Sequence, residues 1–232
     1  MNKNVEAIRE SLAENAVAAP NPYADRVFKA SEEYPGKKRE VVLFPDAALL
    51  NKATPFDFGM YPEFAPIIAA DLAATAKVTS AAGLAAVQIG REGAVIVVAM
   101  DAGYVAMFNP VVTPHAHSKL VEVSEGCISF PGVLEKVMRH SDINVKYQDV
   151  HGRHHQMSLS IDSPATGSMC QTVQHECLHL EGHLFLQDMN IVRRDKVHLH
   201  MKKVRRNIHK ILKMAGGKVN PMQVLFGFAP EL

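Results

Sequence analysis

The middle of the chain contains short apolar and alternating runs that predict β-strands. The run AVIVVAM at 94–100 is apolar throughout, and DINVKYQD at 142–149 alternates polar and apolar residues with the period of a strand. Similar runs predict further strands at 104–109, 119–124 and about 154–160. The segment REVVLFPDAALLNKATPF (39–56) predicts a strand, a turn at Pro45-Asp46 and then an extended stretch.

Apolar residues at helical spacing occur on both sides of these strands. The segment PEFAPIIAADLAATAKVTS (62–80) is a predicted helix whose apolar stripe contains Ile67, Ile68 and Leu72. Two later helices are predicted, TGSMCQTVQHECLHLEGH (166–183), ending near Gly182, and the basic RRDKVHLHMKKVRRNIHKILKM (193–214), ending at Gly216-Gly217. Because the strands follow one another without helices between them and two of the three helices come late, we expect an α+β fold: mainly antiparallel sheets packed around a central helix, with a C-terminal helix.

The first forty residues differ in character from the rest. Val5, Ile8 and Leu12 lie at helical spacing among charges and suggest a short amphipathic helix over 2–17, after which AAPNPYAD breaks the regularity. Residues 1–40 are too short and polar to hold a core of their own. We therefore expect an N-terminal extension over 1–40, a main domain over 41–192, and a basic C-terminal helix and tail over 193–232.

Composition limits the class of protein. A chain of 232 residues that is 47% hydrophobic can bury a substantial core as one domain. Its 25 Lys and Arg nearly balance 24 Asp and Glu, so the whole protein is not an obvious polyanion binder. The longest apolar run is too short to span a bilayer, and the N-terminus lacks the apolar block of a signal peptide. Three cysteines are too few for a disulfide framework, which indicates a reducing cytosol (or an organelle matrix). We also expect a monomer with no membrane contact.

The segment QHECLHLEGHLF (174–185) contains an HExxH metal-binding pattern. Residues four apart stack on one face of a helix, so His175 and His179 can direct two imidazoles at one ion. Glu176 can reach a water molecule at such an ion without being a ligand, which is the position of a general base. This would make the central helix the metal-binding one, although an ordinary helix with two histidines and a glutamate remains the alternative.

The positions downstream of this pattern do not provide a good third ligand. The HExxHxxGxxH pattern of one class of zinc peptidases would require a histidine at the position of Phe185. After Glu181 the next glutamate is Glu231, in the tail, and His183 lies too far along the helix axis to close a compact site.

The best upstream source is VSEGCISFPG (123–132). Cys127 follows Gly126, which permits close backbone approach, and lies near the turn signal Pro131-Gly132. One thiolate, two imidazoles and a water form an open tetrahedral site suited to Zn²⁺ or Fe²⁺. A small buried hydrophobe is the alternative for Cys127, and we expect that fate for Cys170 and Cys177.

Three blocks of the sequence together resemble the signature motifs of the peptide deformylase family. They are GLAAVQIG (83–90), EGCISFPG (125–132) and QHECLHLEG (174–182), and they resemble, in order, the family patterns GxGLAAxQxG, EGCLS and QHExDH. The segment VMRHSDINVKYQDVHG (137–152) also resembles the strand pair that follows the cysteine motif. The resemblance covers roughly 40–195 and makes 41–192 a peptide deformylase-like catalytic domain.

This resemblance implies an activity and a set of catalytic residues. The activity is removal of the N-terminal formyl group from formyl-methionine of nascent polypeptides, which releases formate and a free amine. The implied ligands of one divalent ion, Fe²⁺ or Zn²⁺, are Cys127, His175 and His179. Glu176 would be the general base and acid, and Gln88 with the backbone N–H of Ile128 would stabilise the oxyanion. Without the motif, Gln88 would be interpreted as a polar residue at a strand edge.

The resemblance also implies residues that bind substrate or support the ligands. Gly83 and Gly126 would present backbone to an extended peptide. Ala82, Val123 and His175 would form the wall of a pocket for the methionine side chain. Glu125 would pair with Arg139, for which a surface ion pair is the alternative.

Three positions depart from the family patterns. Leu178 stands where the family usually has Asp, which affects the support of the metal ligands. Ala81 replaces the first glycine of the GxGLAA block, and Ala82 replaces a larger aliphatic residue. Leu178 and Ala81 leave open a non-catalytic relative that binds a metal or the ribosome, and the HExxH pattern leaves open a zinc endopeptidase.

The last predicted helix has one strongly basic surface. From Arg193 to Lys213 there are nine Lys or Arg residues and one acid, Asp195. Its apolar stripe, which can dock on the domain, consists of Val197, Met201, Val204, Ile208, Ile211 and Leu212. The charges favour contact with phosphate, and a C-terminal helix in the deformylase family can dock on the ribosome. A solvated face and, less favoured, a membrane surface are the alternatives.

Overall fold

Two antiparallel sheets and four α-helices make up the described part of the protein. The computed structural model describes residues 21–30, 33–101, 103–216 and 218–231. Within these ranges the strands are β1 (Gly83–Ala85), β2 (Val95–Met100), β3 (Gly103–Pro114), β4 (Leu120–Gly126), β5 (Leu134–His140), β6 (Asp142–Gln148) and β7 (His154–Ser160). The helices are α1 (Phe64–Thr79), α2 (Gly167–Leu180), α3 (Ile191–Met214) and α4 (Pro221–Phe226). The amphipathic helix expected over 2–17 lies outside the described residues.

The strand order explains where the core lies. One sheet has the order β1-β2-β3-β6-β7 and the other is the pair β4-β5, with every pairing antiparallel. In β2 the residues of one face, such as Ile96 and Val98, pack against α2, while Val95 and Val97 pack against α1. The apolar run at 94–100 is therefore buried on both faces because a helix covers each face of the sheet. This confirms the predicted α+β fold with a central helix.

The alternating segment at 142–149 behaves as its pattern predicts. In β6, Ile143, Val145 and Tyr147 are buried, and the residues between them are more exposed.

The turn from β6 to β7 is closed by the Asp149 carboxylate, which accepts hydrogen bonds from the backbone N–H groups of His151 and Arg153 and from the Arg153 and His155 side chains. Burial alone would raise the pKa of Asp149, but these hydrogen bonds outweigh burial and lower the pKa to about 2.

Several predicted elements differ from the structure. The segment 39–44 is extended but forms no strand ladder, since Val42 and Phe44 each donate one backbone hydrogen bond, to the carbonyl groups of Gln88 and Ser129. A 3-10 turn follows at Ala47–Leu50. The hydrophobic pattern missed β1, β5 and α4. In β5 the outward residues Leu134 and Met138 are 70% and 50% exposed, while the charged Arg139 is buried on the inward face beside Val137, so the strand lacks a regular apolar-polar alternation.

Helix α3 docks on the domain through part of its predicted stripe. Val197 and Met201 are buried against Phe44 and Phe130, and Ile208 is buried as well. Val204 and Leu212 are half-buried, whereas Ile211 is 43% exposed, so its inclusion in the stripe was wrong. Among the described residues, no helix combines the length and the apolarity needed to cross a membrane.

Candidate metal centre

Three side chains, two from helix α2 and one from the residue after β4, converge on one point. Helix α2 directs His175 and His179 to the same side, and Cys127 follows directly after β4. The possible ligand atoms of these three residues lie within 4.8 Å of one another, and Cys127 Sγ is 3.3 Å from His179 Nε2. All three are buried. In the described part of the chain this is the one cluster of His, Cys, Asp and Glu side chains arranged to hold a metal ion.

A buried ion pair orients His175. Glu125 Oε2 accepts a hydrogen bond from His175 Nδ1 at 2.8 Å, and Arg139 donates to both carboxylate oxygens of Glu125 at 2.9 and 2.7 Å. Glu125 and Arg139 are each only 5% exposed, so the alternative of a surface pair does not apply. Burial acts to raise the pKa of Glu125, but the hydrogen bonds from His175 and Arg139 lower it. An ionised Glu125 therefore fixes the His175 tautomer and leaves Nε2 for an ion.

His179 is oriented differently from His175. Its Nδ1 is buried and has no hydrogen-bond partner among the described residues. The neighbouring side chain is the half-buried Leu178, which offers no acceptor where the family pattern has a carboxylate. Packing within α2 and around Cys127 therefore holds this imidazole in place.

Glu176 lies next to the cluster in an unusual environment. The side chain is buried, and its Oε2 has no hydrogen-bond partner in the described structure. Burial, the largest cause, raises the pKa of Glu176 to about 7. A carboxyl group with a pKa near neutrality can both accept and return a proton at physiological pH.

Close packing of α2 against β1 holds Glu176 in this position. A Cβ atom on Gly83 would lie 2.4 Å from Thr172 Cγ2 and 2.8 Å from Glu176 Cγ. Only a residue without a side chain permits this approach. The sequence pattern suggested that Gly83 presents backbone to a substrate, and the structure adds this second reason for glycine.

Gln88 is held so that its amide N–H groups point at the cluster. Its Oε1 accepts from the Ala85 backbone N–H at 2.8 Å, which directs Nε2 towards Cys127 Sγ at 3.4 Å and Ser129 Oγ at 3.2 Å. Gln88 is buried, so the alternative of a polar residue at an exposed strand edge does not apply. Ser129, which orients this amide, was not singled out from the sequence, although it is the serine of the EGCIS motif.

A cleft of about 560 Å³ opens onto the cluster. Ala82, Gly83, Gly126 and Ile128 line it, as the sequence predicted. Val123 does not line it: the side chain packs against the core cluster that contains Cys127 and Val137, which corrects its expected place in the cleft wall. Leu225 and Phe226 of α4 line the cleft as well, and no pattern in the sequence pointed to them. A larger cavity of about 750 Å³ beside residues 25–29 contains none of the cluster residues.

The residues downstream of α2 take no part in the cluster. His183 pairs with Asp188 at 3.0 Å, and Phe185 packs against Phe130. His183 is not part of the cluster, and Phe185, at the position where one class of HExxH peptidases has its third histidine, is a core residue, so the geometry does not favour that alternative.

Comparisons with known proteins agree with this geometry. The family model described as Polypeptide deformylase matches residues 38–195. A peptide deformylase of Pelotomaculum thermopropionicum is 39% identical over 112 residues, which cover 48% of this chain and 67% of that protein. The alignments with the first curated relatives span about two thirds of those proteins' own length.

Solved structures give the same result over more of the chain. The peptide deformylase of Thermus thermophilus is 31% identical, with a TM-score of 0.59, over 76% of this chain and 98% of that one. The enzyme from Legionella pneumophila is 26% identical, with a TM-score of 0.63, over 72% and 95% of the two chains. The chain therefore belongs to the polypeptide deformylase family, whose members are metal-dependent hydrolases that remove the formyl group from nascent polypeptides.

Proposed function

We propose that this protein hydrolyses the formamide of N-formyl-methionyl peptides at the Cys127–His175–His179 cluster. The observation that carries the proposal is the arrangement of a buried Glu176, with a pKa of about 7, beside three converging metal ligands. That arrangement is what hydrolysis of an unactivated amide requires: a site for a Lewis acid and a group that can move protons next to it.

The donor set supports a divalent ion of intermediate softness. One thiolate and two imidazoles leave a coordination position open, and this combination suits Fe²⁺ or Zn²⁺. A bound ion supplies Lewis acidity, which lowers the pKa of a water molecule and polarises a carbonyl. The Glu125 carboxylate raises the basicity of His175 through Nδ1 and so strengthens binding of the ion.

Glu176 would move the proton twice. As a carboxylate it accepts a proton from the attacking water, and as a carboxylic acid it delivers that proton to the amine that leaves. Its burial keeps both forms accessible near pH 7, because desolvation disfavours the charged carboxylate.

Gln88 and the backbone N–H of Ile128 would stabilise the negative charge that develops on the formyl oxygen. The Gln88 amide is pre-oriented by Ala85, so it requires little reorganisation during the reaction. Ile128 directly follows Cys127, and its N–H is therefore held near any ion that the thiolate binds.

The peptide would bind in the cleft by strand addition. Strand β1 is at the edge of its sheet and β4 is paired on one side by β5, so each has an edge available near Gly83 and Gly126. The methionine side chain would enter the cleft between Ala82 and His175. Val123 would support this pocket through its packing against the core cluster that contains Cys127.

The basic helix α3 would contact ribosomal RNA. Of its nine Lys and Arg residues from Arg193 to Lys213, all but Arg194 are exposed, so their charge faces solvent. Co-sedimentation with ribosomes at increasing salt tests this, since release of counterions makes phosphate binding steeply salt-dependent. Charge reversal at Arg205 and Arg206 should weaken the binding, whereas reversal at exposed Lys146, on the sheet, should leave it unchanged.

The expected setting is the cytoplasm, or an organelle matrix in a eukaryote. The three cysteines are free thiols, which fits a reducing compartment. Analytical ultracentrifugation tests the expected monomer.

One experiment tests the function directly. Protein purified without oxygen is assayed for bound metal and for formate released from a formyl-Met peptide. Glu176→Gln should retain metal and lose about 10³-fold in formate release, whereas Cys127→Ala should lose metal as well. Cys177→Ala, in the same helix but outside the cluster, is the matched control and should retain both properties. Bound metal without formate release from the unaltered protein would favour a non-catalytic relative, and cleavage of internal peptide bonds would favour an endopeptidase.

A further inference from the structure

The cleft is completed by a part of the chain that lies beyond the family match, which ends at residue 195. Helix α4 is short but well defined at both ends. The Asn220 side chain accepts from the Gln223 backbone N–H at 2.9 Å, Gln223 accepts a hydrogen bond from the Asn220 N–H in return, and Gly227, with φ of 76°, ends the helix.

This C-terminal segment is fixed to the domain on both sides of its cleft-lining residues. Met222 and Phe228 are buried together with Val41. Beyond them the Glu231 backbone N–H donates to the Lys38 carbonyl at 2.7 Å. Because both flanks are anchored, the residues between them are held in one place over the cleft.

Leu225 and Phe226 are the residues of α4 that reach the cleft. Both are half-buried, and both pack against the same small apolar cluster as Ile128, the residue after Cys127. Their packing with the same cluster as Ile128 makes them an apolar wall on the Ile128 side of the cleft, and α2 contributes Thr172 and His175 to the lining.

We propose that Leu225 and Phe226 bind the side chain of the second substrate residue and give the enzyme a preference for apolar residues there. This inference rests on the proposed function. The cleft volume of about 560 Å³ exceeds what a formyl-methionine alone requires, and the α4 wall lies beside the residue proposed to hold the formyl oxygen. An aromatic ring and a branched side chain stabilise an apolar ligand by removing its surface from water.

The absence of tryptophan from this sequence permits a direct binding test. Phe226→Trp introduces a single tryptophan, which can be excited selectively in the presence of the five tyrosines, and Glu176→Gln in the same chain prevents turnover. The emission should shift to shorter wavelength and saturate with formyl-Met-Leu-Lys, and shift less with formyl-Met-Gly-Lys. Val224→Trp, in the same helix but not lining the cleft, is the control and should respond to neither peptide.

Kinetics test the preference. The ratio of kcat/KM for the Leu peptide over the Gly peptide should fall about tenfold in Phe226→Ala, mainly through KM, and should stay unchanged in Val224→Ala. Phe226→Leu, which keeps an apolar side chain and so protects the fold, should retain most of the ratio. An unchanged ratio in Phe226→Ala, or no emission response at position 226, would overturn the proposal. If the unaltered protein releases no formate from any peptide, the proposed function fails, and the emission measurement still decides whether this wall binds peptide.

Discussion

Gly83 and Gly126 occupy similar places in two motifs, and the structure separates their roles. Substituting alanine at Gly83 would place Cβ 2.4 Å from Thr172 Cγ2, 2.8 Å from Glu176 Cγ and 2.9 Å from Glu176 Oε1. Substituting alanine at Gly126 would bring Cβ no closer than 3.4 Å to the Val133 carbonyl oxygen, which is an ordinary contact.

The magnitude follows from these distances. Non-bonded carbon atoms prefer a separation of about 3.5–4.0 Å. In Gly83→Ala the distance from Cβ to Thr172 Cγ2 would therefore be more than about 1 Å too short, and Thr172 has a branched side chain on a packed helix. Overpacking of this kind costs about 2–3 kcal/mol of the free energy of unfolding. It also displaces Glu176, and a shift of about 1 Å in a catalytic group lowers kcat about 100-fold. Gly126→Ala should change the free energy of unfolding by less than about 0.5 kcal/mol.

Urea unfolding and formate release, measured on both variants, check this prediction. Thr172→Ser is the matched rescue, because it removes Cγ2 and keeps the hydroxyl that donates to the Ser168 carbonyl. In the double variant Gly83→Ala, Thr172→Ser, we expect recovery of about 1–2 kcal/mol beyond the sum of the single effects. The close-packing argument would be refuted if Gly83→Ala matched Gly126→Ala in both measurements, or if Thr172→Ser brought no recovery.

Two further predictions concern buried and partly buried carboxylates. Glu125→Gln removes the charge that pairs with Arg139 and orients His175. It should lower the free energy of unfolding by about 3 kcal/mol and weaken metal retention against a chelator about 10- to 100-fold. Full retention of the metal would contradict the orienting role. Asp149→Asn should cost about 1 kcal/mol at neutral pH, after allowing for solvent screening of a partly exposed carboxylate. Because the folded pKa of Asp149 is depressed to about 2, its contribution is present above the ordinary pKa near 4 and is lost as the pH falls through 2. The difference between the Asp149→Asn variant and the unaltered protein should therefore shrink in acid. Asp162→Asn, at an exposed site, is the control and should change the free energy of unfolding by less than about 0.5 kcal/mol at neutral pH.

The metal centre is the part of the molecule that could be predicted most completely. The spacing of His175 and His179 places two imidazoles on one helix face whatever the surroundings are, because helical geometry is local. No downstream residue suits a third ligand, and Cys127, the best upstream candidate, lies within reach of both in the structure. The hydrophobic patterns at 94–100 and 142–149 likewise predict, from each strand's own sequence, which of its faces are buried.

Other features depended on contacts between elements far apart in the chain. In β5 the pattern is irregular: Leu134 and Met138 are exposed, while the charged Arg139 is buried because it pairs with Glu125 from β4. The anchoring of α4 over the cleft rests on packing with the segment near Val41, which no local pattern records.

The sequence by itself therefore determined the fold class and predicted the proposed metal ligands and general base, since these predictions follow from periodicity, from spacing within single elements and from the three motifs in order. Only the tertiary structure decided that Gly83 makes room for Glu176, that Val123 packs against the core and does not line the cleft, and that Phe226 helps to form the cleft wall. The physical reason is that close packing joins atoms from separate elements at separations of a few ångströms, and many weak contacts summed over the whole domain set those separations.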